Sequence, residues 1–144
     1  MEKTKILVSA CLLGEPCRYD GRSKPVCAVA DLCDKYELIP ICPECLGGLP
    51  TPRTPSERVG DRVIMADGTD VTEQFTMGAE RAMEIARKNG VKVALLKAKS
   101  PSCSKGEIYD GSFTRRLVKG NGVFAEMAMA GGVSVFTEEE IDKL

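Results

Sequence analysis

The chain contains no histidine and no tryptophan, and only 5% of it is aromatic. Without histidine there can be no Ser-His-Asp triad, no Cys-His dyad and no zinc site that uses imidazole. Long apolar runs are missing too. The runs present extend for only a few residues, far short of the ~20 that span a bilayer. The opening stretch, Met-Glu-Lys-Thr-Lys-Ile-Leu-Val-Ser-Ala, lacks the apolar centre of a secretory leader, so a cytoplasmic protein is expected. Excess charge of either sign is lacking as well. Twenty Lys+Arg face 21 Asp+Glu, a net charge of -1, which argues against a globally basic nucleic-acid binder. What remains is ordinary for a globular chain. Its 144 residues, 43% hydrophobic, suit a single domain over 1–144 with a core of its own.

Cysteine is the residue in surplus. There are seven: Cys11, Cys17, Cys27, Cys33, Cys42, Cys45 and Cys103. The number is odd and the opening residues do not read as an export signal, so metal binding or catalysis is expected rather than disulfides. Any metal must be carried by thiolates, which points to zinc or an iron–sulfur cluster.

The pattern of apolar residues predicts strands alternating with helices. Residues 5–10 read as a buried strand and residues 11–24 as a loop. A helix is expected from Pro25 to about Tyr36. A second strand is expected over 38–42, weakened by Pro40. Residues 43–60 are rich in proline and glycine and read as a long irregular loop, with a short hairpin strand over 59–65. Thr72 is the expected N-cap of a helix over 73–88, with Phe75, Ala79, Ala82 and Ala86 along one face. A third strand over 91–96, a polar loop, a helix over 122–130 and a fourth strand over 133–136 follow. Thr137 and Glu140 make a capping box for a last short helix. The alternation predicts an α/β fold: a mainly parallel sheet flanked by helices in a Rossmann-like three-layer arrangement.

In such sheets, ligands bind beyond the carboxyl ends of the strands. Cys11 follows the first strand, Cys42 ends the second and Cys103 lies in the loop after the third. These three are expected to converge on one edge. Cys27 and Cys33 fall on the first expected helix and read as packing residues, and Cys17 is left open. Cys42-Pro-Glu-Cys45 is a C-x-x-C, the pattern of a redox dithiol or of half a zinc site. The glycines and proline that follow it argue against the helix a redox dithiol normally opens. Gly120-Asn-Gly122-Val-Phe-Ala125 matches a dinucleotide fingerprint but follows a segment too polar for a central strand, so it reads as turn glycines. Tyr-Asp-Gly occurs twice, at 19–21 and 109–111, in loops assigned to the active edge. Residues 92–119 carry seven cations against two carboxylates, which suits an anionic substrate such as a nucleotide or an RNA end.

Six ordered motifs span nearly the whole chain: Ser-Ala-Cys-Leu-Leu-Gly (9–14), Arg-Tyr-Asp-Gly (18–21), Cys-Pro-Glu with Gly-Gly-Leu-Pro-Thr-Pro-Arg (42–53), Gly-Thr-Asp-Val-Thr (68–72), Leu-Lys-Ala-Lys-Ser-Pro-Ser-Cys (96–103) and Ile-Tyr-Asp-Gly-Ser-Phe (108–113). Together they resemble the thiouracil desulfidase family. The resemblance implies a [4Fe-4S] cluster held by Cys11, Cys42 and Cys103, with one iron lacking a protein ligand. It implies removal of sulfur from a thiolated uracil, as free base or nucleotide, without net redox change. The motif carboxylate maps onto Glu44 and the motif serine onto Ser100 as catalytic groups. Ser102, Asp20, Arg53 and Lys97, which lie in the same motifs, are expected to contact substrate. Cys45 departs from the family pattern. Two other readings stay open beside this one: a thiolate zinc or cluster module without catalysis, and a dithiol oxidoreductase built on Cys42 and Cys45.

Overall fold

The structure is a computed structural model and describes residues 3–23 and 25–144. Met1, Glu2 and Lys24 lie outside the described residues, and with Lys24 the last position of the loop expected over 11–24. Four strands form an all-parallel sheet. They are β1 (Thr4–Ser9), β2 (Tyr36–Ile41), and, further along the chain, Val93–Leu96 and Ser134–Thr137. Between β1 and β2 stand a 3₁₀ turn (Ala10–Leu13), α1 (Cys27–Ala30) and a second 3₁₀ turn (Asp31–Asp34). After β2 come α2 (Pro43–Leu46), the hairpin of β3 (Ser56–Val59) and β4 (Arg62–Met65), and α3 (Thr72–Lys88). The strand Val93–Leu96 is β5. It leads to a second hairpin of β6 (Glu107–Tyr109) and β7 (Leu117–Lys119), then α4 (Val123–Ala130), β8 (Ser134–Thr137) and a closing 3₁₀ helix (Glu138–Lys143).

The sheet order is β2-β1-β5-β8. Successive side chains of each strand enter different cores, which is why the strands read as continuous apolar runs. Leu7, Ala94, Leu96 and Val135 face α3 and α4, packing on Ala79, Ala82, Ala86 and Phe124. Ile6, Val8 and Leu95 face the other way, against Leu12, Val29 and the partly buried Leu32 and Ile141. Helices therefore cover both faces, as the sequence predicts. Pro40 sits on β2, the edge strand, where a missing N–H costs no ladder bond on the open side.

Several expectations need correction. The helix expected over Pro25–Tyr36 is one α turn followed by a 3₁₀ turn. Val26, Val29 and Leu32 recur every three residues, the 3₁₀ period, so no wider apolar stripe exists to hold a longer α-helix. Cys27 and Cys33 are exposed on this stretch and are not packing residues. The 43–60 segment is not wholly irregular, because it contains α2 and β3. Pro43 is preorganised for the first helical position, so Cys42 does stand at the start of a helical turn. Thr72 is not an N-cap. It is the first helical residue, and its hydroxyl accepts the Val63 N–H at 2.8 Å, tying α3 to β4. The 115–119 segment, too polar for a central strand, supplies only β7 over Leu117–Lys119, in a two-stranded hairpin outside the central sheet. The Thr137–Glu140 capping box is present, although the helix it opens is 3₁₀. No helix among the described residues is long and apolar enough to cross a membrane.

Candidate active site

The carboxyl ends of β1, β2 and β5 open on a cavity of about 490 Å³. Cys11, Cys42 and Cys103 all line it, as the strand-end argument predicts. The 3₁₀ turn after β1 places Cys11 there, buried. Cys42 follows β2 directly. Cys103 is placed by the loop after β5. In that loop the Ser100 hydroxyl oxygen accepts the N–H groups of Ser102 (3.1 Å) and Cys103 (3.0 Å). The loop is also stitched to α4, whose Phe124 and Ala125 N–H groups donate to the Ser102 carbonyl at 2.8 and 3.1 Å. A Cβ on Gly122 would stand 2.4 Å from that carbonyl carbon. Close packing against the Cys103 loop therefore explains the glycine that mimics a dinucleotide fingerprint.

Cys42 is placed by α2, which lies against α3 at two glycines. A Cβ on Gly78 would come 1.8 Å from the Pro43 carbonyl oxygen, and one on Gly47 would come 2.0 Å from that of Gln74. A fourth cysteine, Cys17, also lines the cavity, whereas Cys45 does not. All seven cysteines are free thiols. A hydrogen bond with Cys11, together with burial, pushes the Cys17 thiol up to about 11. A hydrogen bond with Cys17, and burial, raise Cys42, and burial raises Cys45. Burial pushes Cys103 up to about 12, while the hydroxyls of Ser9 and Ser100 pull the other way. A reactive dithiol needs a lowered thiol pKa, and Cys42 and Cys45 show the reverse.

Glu44 and Ser100 stand on the cavity wall. Burial raises the Glu44 carboxyl above its ordinary value and Arg53 opposes the shift. The two form an ion pair at 3.1 Å. The other Arg53 nitrogens donate to the Cys17 carbonyl (3.0 Å), the Pro50 carbonyl (3.1 Å) and the Thr51 hydroxyl (3.0 Å), so four of its five N–H donors meet protein partners. Arg53 thus lines the cavity with most of its donors committed to protein partners. Lys97 is similar, since its ammonium meets Glu138 at 3.1 Å and the Ala98 carbonyl at 2.8 Å.

The two other expected substrate contacts are not in the cavity wall. Asp20 caps a turn by accepting the Arg22 N–H at 3.0 Å. Ser102 is fully buried, and its hydroxyl has no hydrogen-bond partner in the structure. Lys99 and Arg115, two of the 92–119 cations expected to meet an anionic substrate, line the cavity, whereas Ser9, Arg18, Glu57 and Phe113, also cavity residues, were not singled out from the sequence. Tyr19 and Tyr109 line it too, and their repeated Tyr-Asp-Gly context was the available signal. Nothing local to Glu57 marks it.

The donor set suits a polynuclear cluster. Among the described residues no three His, Cys, Asp or Glu side chains converge on a single metal ion. A four-iron cubane sets each thiolate on a different iron, so its cysteines stand further apart than the ligands of one zinc ion. Cys11, Cys42 and Cys103 come from three separate chain segments and line one cavity of about 490 Å³, which has room for more than one metal atom.

The fold and site together define an all-parallel α/β domain whose strand-end cavity gathers three cysteines with a carboxylate and a hydroxyl at its wall. Residues 6–140 match the family described as 2-thiouracil desulfurase, and the chain belongs to that family of enzymes. It is 36% identical over 149 residues to the uncharacterized protein YbbK of Bacillus subtilis (strain 168), covering 96% of this chain and 99% of that one. It is also similar to a solved structure, the [4Fe-4S]-dependent thiouracil desulfidase TudS. That likeness has a TM-score of 0.94 and 44% identity, over 99% of this chain and 95% of the other.

Proposed function

We propose that residues 1–144 form one desulfidase-like domain that removes sulfur from a thiolated pyrimidine, in the reducing cytoplasm. Cys11, Cys42 and Cys103 are the residues that would hold a [4Fe-4S] cluster, leaving one iron without a protein ligand. When bound, the cluster supplies a soft Lewis acid suited to a thiocarbonyl sulfur. The reaction exchanges C=S for C=O: water adds oxygen, sulfur leaves as sulfide, and no electrons are gained or lost. Glu44 takes the proton of the attacking water. Its burial raises its basicity, and Arg53 keeps it ionised and fixed in direction. The Ser100 hydroxyl, whose oxygen accepts two N–H groups and which favours the ionised form of Cys103, supports that ligand and relays a proton at the cavity wall. Lys99, Arg115 and Arg18, cavity cations without an ion-pair partner among the described residues, suit the phosphate of a nucleotide. An RNA end would use the same charges.

The observation that carries this reading is the meeting of three strand-end thiols with Glu44 and Ser100 on one cavity. Its test is anaerobic cluster reconstitution, followed by incubation with 2-thiouracil and 4-thiouridine. Sulfide and the oxygenated base should appear in equal amounts without added reductant. Cys11→Ala, Cys42→Ala and Cys103→Ala should each abolish the cluster absorption, while Cys27→Ala and Cys33→Ala retain it. A loaded wild-type protein that releases no sulfide, or a Cys103→Ala protein that keeps a full cluster, would overturn the assignment.

A further inference from the structure

One wall of the cavity holds none of the groups assigned to the sulfur exchange itself. It is built by the turn of residues 110–116, which joins β6 to β7 and rests on β3. Glu57 of β3 is buried and has no cationic partner among the described residues. One carboxylate oxygen accepts the N–H groups of Gly111 at 2.9 Å and Phe113 at 3.1 Å. Gly111 lies at φ 96°, and a Cβ there would stand 2.3 Å from a Val59 methyl, so the turn is pressed onto β3. Asp110 accepts the Ser112 N–H at 2.9 Å inside the same turn. The outcome is a phenylalanine in the left-handed region, at φ 59°. A bulky residue adopts that backbone only when its surroundings impose it.

The Phe113 ring is not spent on the core. Phe75 and Phe124 are fully buried there, and Phe136 packs against the opposite core. Phe113 is half-buried on the cavity wall, with Tyr19 and Tyr109 on the same cavity. An aromatic face beside a site for a planar ring is a stacking surface. We infer that Phe113 recognises the pyrimidine ring by stacking, and that Glu57 is the positioning residue that holds it there through the 110–116 turn. The inference rests on the functional reading above and adds how the ring, as distinct from its sulfur, is recognised.

The test uses cluster-loaded protein, with iron counted in every sample. Phe113→Leu should raise KM for 2-thiouracil about tenfold, the lower part of the range for a base stacked on an aromatic ring. The dissociation constant for uracil, which undergoes no reaction, should rise equally, and kcat should change less. Phe113→Tyr should restore both constants. Glu57→Ala should shift KM and uracil binding in the same direction, and the double variant should be no weaker than the worse single one, because both act through one ring. Unchanged uracil binding in Phe113→Leu, or strictly additive effects in the double variant, would overturn the inference. If loaded wild type binds uracil but releases no sulfide, the desulfuration reading fails, and the uracil constants still decide the role of Phe113.

Discussion

Glu44 shows how a single residue gets its role from its neighbours. Two residues after Cys42, it is carried by the α2 turn to the cavity wall, where burial alone would favour its neutral form. Arg53 offsets that cost and reaches at once to the Pro50, Thr51 and Cys17 oxygens, so it ties Glu44 to two loops. Glu44→Gln keeps the acceptor for Arg53 Nε and loses only the proton-accepting charge. The cluster should load normally, and turnover per cluster should fall about a hundredfold or more, the usual scale for a general base. Single-turnover rates normalised to iron content check this, and a rate near wild type would reduce Glu44 to a strut for the loop. From the sequence, a pairing of Glu44 with Arg53 or another loop arginine is the competing reading of this carboxylate, and the structure shows that pair at 3.1 Å.

At the scale of elements, the contact between α2 and α3 is the most sensitive joint, because Cys42 hangs from it. Gly78→Ala should improve intrinsic helix propensity by about 1 kcal/mol. It also forces a methyl into the Pro43 carbonyl, and such overpacking typically costs about 1–3 kcal/mol. Backbone cannot swing aside as a side chain can, so the cost should win. Thermal melts should show a net loss of stability, and reconstitution should show reduced iron content. The capping box after β8 responds to pH. Partial burial opposes ionisation of Glu140, but the Thr137 N–H, Lys105 and Lys143 hold its carboxyl below the ordinary value. A depressed folded-state value means the contribution is complete above the unfolded value and is lost as pH falls through the folded one. Denaturant titrations of wild type and Glu140→Gln should therefore differ by a constant amount, under about 1 kcal/mol for so exposed a pair, at neutral pH. The curves should converge below about pH 4.

Across the whole molecule, the cationic surplus of 92–119 divides into three, with Lys92 and Lys119 exposed away from the cavity. Lys97, Lys105 and Arg116 are engaged by Glu138, Glu140 and Asp110. Lys99 and Arg115 remain at the cavity. Lys99→Ala with Arg115→Ala should weaken a thiolated nucleotide more than the free base, and the gap should shrink in high salt as the charges are screened. Equal losses on both substrates would show that these cations only support the fold.

The sequence by itself determined the layered architecture and the three strand-end cysteines. Strand and helix periods are local properties, and the place of a ligand in a parallel sheet follows from strand direction. It also determined the core face of α3, where Phe75, Ala79, Ala82 and Ala86 are all buried. Tertiary structure decided what depends on contacts between distant segments. Arg53 and Lys97 were turned inward to protein partners, and Asp20 was kept to a local turn. Glu57 was set against the 110–116 turn more than fifty residues away. No period or motif encodes a carboxylate that meets two N–H groups across such a separation, because that meeting exists only once both hairpins have docked.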